Sequence, residues 1–148
     1  MTSRVGIVGN GADKFNSLQV SKVKDLITLL LQDAGTVLIS GHSPVGGVDI
    51  WAEEIALQLG IGLDIKTPKA HSWSGIYGYR GRNLDIAKSS DIVHIIVSQQ
   101  YPEGYEGGRF KICYHCGSER PPHVKSGGCW TGIKAQALGK TVIWHIIG

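Results

Sequence analysis

Residues 36–59 read T-V-L-I-S-G-H-S-P-V-G-G-V-D-I-W-A-E-E-I-A-L-Q-L, and the order of patterns within them decides the fold. Residues 36–39 are uninterrupted apolar chain, too short for a core helix and rich in β-branched side chains, which predicts a buried strand. The next eight residues, 40–47, carry three glycines and a proline, the chemistry of a turn. Val48, Trp51, Ala52, Ile55, Ala56 and Leu59 then recur at three- and four-residue steps, one apolar face of a helix. Glu53 and Glu54 fall off that face, and Gly60 stops the helix. A wholly apolar strand feeding through a glycine turn into an amphipathic helix is half of a parallel β-α-β unit.

The same unit recurs outward in both directions. Upstream, R-V-G-I-V at 4–8 predicts a first strand ending in Gly9-Asn10-Gly11. Asn16 or Ser17 can cap a helix whose stripe is Val23, Leu26, Ile27, Leu30, Leu31 and Ala34, ended by Gly35. Downstream, residues 62–66 form a weaker strand, 70–81 an aromatic, glycine-rich loop, and 82–88 a short helix. D-I-V-H-I-I-V at 91–97 is a strong strand. A helix over 131–138, the Gly139-Lys140 turn and a strand over 141–147 close the chain. The pattern predicts an α/β class: a single Rossmann-like domain over 1–148, with a mostly parallel sheet of about five strands and helices on both faces. It shows no internal repeat and no second domain. Ligands in such folds sit beyond the carboxyl ends of the strands. The turns at 9–11, 40–47 and 126–131 all precede helices and are expected to converge there.

The totals suit that fold. The 148 residues are 42% hydrophobic and 18% charged, with 21 glycines clustered at turns; this is a globular composition, not a disordered one. A net charge of +3 permits an anionic ligand without indicating DNA or RNA. No apolar run approaches the ~20 residues of a membrane span, and the N-terminus does not have the pattern of a signal peptide. Three cysteines, two in C-x-x-C, argue for a reducing compartment and a metal or redox role. The expected location is cytoplasmic, with no membrane partner.

Residues 98–127 form a long polar stretch without periodicity, uncommon inside a compact domain unless functional or stapled. Its staple is readable: C-x-x-C-x6-H-x5-C places Cys113, Cys116, His123 and Cys129 at spacings near those of structural zinc sites. A structural zinc would order an insert with little apolar content of its own. His115 is a competing ligand, and buried or redox-active cysteines are the alternatives. The S-G-G-C-W-T run at 126–131 overlaps the same segment. A glycine turn opening a helix offers backbone N–H groups to an anion, although an ordinary helix cap has the same appearance. Among lone histidines, His94 and His145 read as satisfied strand residues, while His42 lies in the 40–47 turn.

Several of these runs together resemble a known family. S-G-H-S-P-V-G-G-V-D-I-W-A-E-E after a strand resembles the S-G-G-x-x-G-x-D-x-x-A-E signature of the SLOG superfamily. Gly81-Arg82-Asn83, the Ser126-Gly127-Gly128 turn and the V-G-I-V-G-N-G start are similar to it as well. The superfamily includes the LOG "lysine decarboxylase-like" proteins, DprA-type proteins and the short YspA/YpsA-like branch, which this chain resembles most. The resemblance implies a Rossmann-like fold and a pocket for a nucleotide or nucleotide-derived small molecule, and a homo-oligomer is a possibility because relatives often pair. Residues and resemblance together assign ligand contacts to Gly9, Asn10, Ser40, Gly41, Gly46, Gly47, Asp49, Arg82, Asn83, Ser126, Gly127, Gly128 and Thr131.

Two departures matter. LOG phosphoribohydrolases carry P-G-G-x-G-T-x-x-E, whereas Trp130 and Ile133-Lys134 stand here where the third glycine and the acidic residue would be. The G-S-R start of the YspA branch is replaced by Asn10-Gly11. The expected function is therefore a ligand-binding module or sensor with a structural zinc. The alternatives are a LOG-type hydrolase, for which Asp49, His42 and Glu53 are the available groups, and a zinc-assisted nucleic-acid binder using Arg109, Lys111, Arg120 and Lys125; the mild charge makes nucleic acid the weakest partner.

Overall fold

A computed structural model describes residues 3–33 and 35–148. The elements run β1 (Ser3–Gly9), α1 (Ser17–Leu30), β2 (Thr36–Ser40), α2 (Val48–Leu59), β3 (Gly62–Ile65), α3 (Tyr79–Ser89), β4 (Ile92–Ser98), α4 (Gly127–Ala137) and β5 (Thr141–Ile147). All five strands are parallel, in the order β3-β2-β1-β4-β5. A three-residue 3-10 turn at Ala12–Lys14 was not expected from the pattern.

The apolar strands alternate between two cores, as a sheet covered on both sides requires. Val5, Ile7, Leu38 and Ile96 pack against Val23, Ile27 and Leu31 of the first helical segment and Val48, Ala52 and Ala56 of α2. Val8, Ile39, Val93, Ile95 and Val97 face the other way, against Ile86 and Ala87 of α3 and Ala135 of α4. Cys113, Cys116 and Cys129 belong to this second core. The edge strands β3 and β5 are less buried than the three between them.

Local chemistry accounts for the helix starts. Asn16, rather than Ser17, caps α1: its side chain accepts from the Gln19 N–H while Gln19 reaches back to the Asn16 N–H. Ala34, the last residue of the expected stripe, lies outside the described residues. Gly47 opens α2 at φ +84°, and a Cβ there would sit 2.5 Å from the Asn10 carbonyl oxygen. That oxygen accepts from the Val48 N–H at 3.2 Å, so the glycine lets the turn after β1 lie directly on the start of α2.

Helix boundaries shift in three places: α1 ends at Leu30, with Leu31 as its C-cap, and does not reach the expected stop at Gly35. α3 begins at Tyr79, three residues before the expected start, and α4 begins at Gly127, four residues before Thr131. The Ser126 hydroxyl accepts from the Gly128 N–H at 3.1 Å, so the glycine pair is the first turn of a capped helix and not a loop ahead of it. His94 and His145 satisfy one another, Nδ1 to Nε2 at 2.9 Å. No helix among the described residues is long and apolar enough to cross a membrane.

Candidate functional site

The strand order reverses direction between β1 and β4, and a crevice opens beyond their carboxyl ends, where α/β sheets place ligands. A cavity of about 450 Å³ occupies it. Its floor is Val8, Gly9, Asn10 and Gly11 at the end of β1; one side is Ser126, Gly127, Gly128 and Thr131 at the start of α4. Asp49, Arg82 and Asn83 line another side, and Lys14, Tyr101, Tyr105, Phe110 and Lys125 complete the wall.

The floor is built by close backbone packing. A Cβ on Gly128 would meet the Gly9 nitrogen at 3.1 Å, and one on Gly9 would overlap the Ile96 carbonyl. Asn10 ties the pieces together: its Oδ1 accepts from the Ser98 N–H at 2.9 Å and its Nδ2 donates to the Lys125 carbonyl at 3.0 Å. The turns after β1 and β4 and the end of the insert are thereby held in one register. Thr131, one turn into α4, is fully buried in the cavity wall, and its hydroxyl has no hydrogen-bond partner among the described residues.

Charge is unevenly distributed around the cavity. Three cations, Lys14, Arg82 and Lys125, and one carboxylate, Asp49, line it; Lys14 is also paired with Asp13 at 2.7 Å. Asp49 does not cap α2; its Oδ2 accepts from the Ser43 N–H at 3.2 Å. Burial pushes its carboxyl up to about 6, against the opposing pull of the Arg82 guanidinium and the Ser43 N–H. Arg82 donates to the Gly41 carbonyl and, from Nε, to Asn83 Oδ1 at 2.7 Å. The guanidinium fork is thus partly engaged by the protein itself.

Of the thirteen residues assigned to the ligand from sequence, Gly9, Asn10, Asp49, Arg82, Asn83, Ser126, Gly127, Gly128 and Thr131 line this cavity. Ser40, Gly41, Gly46 and Gly47 do not. The space a Gly41 Cβ would need is filled by Arg82, and Gly47 packs on Asn10 and Gly11. Ser40 donates to Glu53 Oε2 at 2.7 Å, and Glu53 Oε1 meets His42 Nδ1 at 2.6 Å. Both side chains therefore bind the carboxylate, and His42 meets Ser40 Oγ only through its backbone N–H, at 3.5 Å, so the ring and the hydroxyl are not arranged as a nucleophile–base pair. Lys14, Tyr101, Tyr105 and Phe110 escaped the sequence reading. The spaced aromatics of Y-P-E-G-Y-E-G-G-R-F at 101–110 were the available signal: Tyr101 and Tyr105 stack at 4.9 Å, with Lys14 5.1 Å from the Tyr105 ring centre.

Behind α4 lies the cysteine cluster. The ligand atoms of Cys113, Cys116, His123 and Cys129 all fall within 4.8 Å of one another, and all four residues are buried. Tetrahedral zinc with Zn–S near 2.3 Å would hold sulfurs about 3.8 Å apart, within the 4.8 Å that bounds this set. His123 Nδ1 bonds the Pro121 carbonyl at 2.8 Å, leaving Nε2, 3.4 Å from Cys129 Sγ, as the free donor atom. The amides of Cys116 and Gly117 both donate to the Cys113 carbonyl, closing a tight knuckle around the first two ligands. Trp144 Nε1 donates to Cys129 Sγ at 3.4 Å. The Cys113 thiol is held well below its usual range, chiefly because the Cys129 thiol donates to it and then because the Ser126, Cys116 and His115 amides do; Cys129 is pushed up by sharing its proton. A metal would resolve that competition by replacing protons. The donor set fits a metal ion. His115, the competing ligand, is not in the cluster and lines a neighbouring cavity.

The sequence matches no protein-family model and no curated relative. Solved structures share the fold. The molybdenum cofactor carrier protein of Chlamydomonas reinhardtii superposes with a TM-score of 0.62 at 15% identity, over 97% of this chain and 76% of that one. The structural-genomics target TM1055 gives 0.58 at 18% identity, over 95% and 72%. DNA processing protein A of Streptococcus pneumoniae gives 0.55 at 16% identity, over 97% of this chain and 50% of its own length. At these identities the likeness is one of fold: the α/β arrangement with a five-stranded parallel sheet.

Proposed function

We propose that this protein binds a phosphate-bearing, nucleotide-type small molecule at the α4 end of the switch-point cavity, as a carrier or sensor and not as a catalyst. The observation that carries the reading is the first turn of α4, where Gly127 and Gly128 line a cavity that Lys14, Arg82 and Lys125 also line, with the buried and unpartnered Thr131 just behind it. An unsatisfied buried hydroxyl costs about 1–3 kcal/mol, and a bound anion oxygen would relieve it. The α4 N-terminus, with Lys14, Arg82 and Lys125, favours negative charge at the same place. The likeness to a protein named as a cofactor carrier is in keeping with binding without turnover.

We further assign zinc to the Cys113, Cys116, His123 and Cys129 cluster. Three thiolates and an imidazole in a closed, buried set suit that ion and leave no open coordination position. When bound, zinc would act as a structural clip. Three unpaired buried cysteines accord with a reducing, cytoplasmic setting.

A hydrolytic alternative draws on Asp49, a cavity carboxyl poised near 6. Any nucleotide cleavage found should vanish in Asp49→Asn if that group is the acid.

Calorimetric titration with adenosine monophosphate and with inorganic phosphate tests the binding reading. Both should bind competitively, and Thr131→Val should weaken both by about tenfold or more without lowering the melting temperature. Absence of binding, or binding indifferent to Thr131→Val, contradicts the assignment.

A further inference from the structure

A second cavity, of about 710 Å³, adjoins the first. Ser43, Val45, Arg82, Asn83, Lys125 and Gly127 line both, so the two lie side by side along a shared wall. Their chemistry differs. The first has the α4 amides, three cations and the orphaned Thr131 hydroxyl. The second has Trp73, Tyr79, Tyr114, Trp130 and His115, and no carboxylate lines it.

Tyr114 and His115 are the two residues between Cys113 and Cys116. The Cys113 carbonyl accepts from the amides of Cys116 and Gly117 at 3.1 and 2.9 Å, and Gly117 turns at φ +55°. This knuckle buries both cysteines while Tyr114 stays 59% exposed. Trp73, 43% exposed, meets Trp130 edge to face, with ring centres 5.3 Å apart and planes at 82°; Lys134 and Arg80 lie over the Trp130 ring at 5.3 and 5.9 Å, so Trp73 offers the more open ring of the two. Lys125 lies at the junction, 4.7 Å from the Phe110 ring centre and 4.9 Å from that of Tyr114. Flat aromatic walls with cations at one end match a ligand that is planar at one end and anionic at the other.

We infer that the Cys113–Cys116 knuckle presents Tyr114 and His115 as recognition side chains, which with Trp73 and Trp130 form an aromatic subsite for the ring of a heteroaromatic phosphate whose phosphate sits at α4. The cysteine cluster then shapes ligand choice as well as holding the insert. Asn83, Ser43 and His115 supply polar groups for the ring edge. The absence of acidic lining disfavours a cationic ring. This inference rests on the phosphate-binding reading of the first cavity.

Three probes separate the two: adenosine monophosphate, ribose 5-phosphate and adenosine, titrated into the purified full-length protein. The inference expects adenosine monophosphate to bind about tenfold or more tightly than ribose 5-phosphate, as one aromatic stack allows. Tyr114→Ala and Trp73→Ala should each remove most of that difference while leaving ribose 5-phosphate affinity within twofold, and Trp73→Phe should retain it. Both changed side chains are exposed, and an unaltered melting temperature with one bound zinc by mass spectrometry certifies the fold. Equal binding of ribose 5-phosphate and adenosine monophosphate, with both sensitive to Thr131→Val, overturns the aromatic subsite and leaves the phosphate site standing. Equal losses for both phosphates in Tyr114→Ala overturn it as well. Failure of both phosphates to bind overturns the parent reading and this one together.

Discussion

Asp49 is the cavity's acid, and its environment sets a pH dependence. Its carboxyl moves from 3.8 to about 6 because burial opposes the charge. Between those values the folded protein holds a proton that the unfolded chain has lost. Asp49 therefore favours folding most below pH ~4, and that contribution is lost as pH rises through about 6. Two units correspond to roughly 3 kcal/mol of cost at neutral pH. Asn in place of Asp49 mimics the protonated form, so Asp49→Asn should melt higher than the native protein at pH 7.5, with the gap closing by pH 4.5 in thermal scans. The same charge repels an anion in the cavity. Sulfate, whose charge is constant over this range, should bind several-fold more tightly at pH 5 than at pH 7.5, with the change centred near 6; Asp49→Asn should abolish the slope. A slope that persists in the variant would assign it to another group.

At the scale of elements, the insert at 99–126 has neither helix nor strand, and its place depends on a few anchors. Val124 N–H donates to the Ser98 carbonyl, Asn10 holds the Lys125 carbonyl, and the cysteine cluster pins residues 113–123 to the first turn of α4. Metal binding to such a set contributes several kcal/mol of folding energy. Removing metal with a chelator under reducing conditions should lower the melting temperature by about 10 °C or more, and limited proteolysis should then cut within residues 99–112 before the sheet core. Zinc addition should reverse both effects, and Cys116→Ser should mimic the stripped protein. An insert equally resistant with and without metal would refute the clip. The strands, helices and caps were readable because periodicity and capping are local: β5 matches its predicted bounds, and Asn16-x-x-Gln19 is a cap written in four residues. The start of α4 was misjudged because Gly127 and Gly128 carry poor intrinsic helix propensity, whereas a serine cap and packing on β1 hold them helical.

For the whole molecule, the order β3-β2-β1-β4-β5 puts the ends of β1 and β4 side by side, and the cavity follows from that reversal. Most of the expected ligand residues line it, since each sits at the carboxyl end of a strand or at a helix start. The exceptions are instructive. Ser40, Gly41, Gly46 and Gly47 have the composition of a ligand loop, yet their partners are Glu53, Arg82 and the 10–12 turn. Nothing local distinguishes a glycine that admits a ligand from one that admits a neighbouring backbone. Lys14, Tyr101, Tyr105 and Phe110 enter the wall from segments without periodicity; the spaced aromatics of residues 101–110 were the one sign of the last three, and nothing local marked Lys14.

The sequence by itself determined the strand–helix alternation, the parallel sheet covered on both faces and the Cys-Cys-His-Cys set, because apolar period, caps and ligand spacing are written in neighbouring residues. Only the tertiary structure decided which glycine turns border the cavity, that the Thr131 hydroxyl is left without a partner, and that the cysteine knuckle faces an aromatic cavity. Those depend on contacts between residues far apart in the chain, such as Asn10 with Lys125 and Trp73 with Trp130, and these form only when the sheet brings its strand ends together.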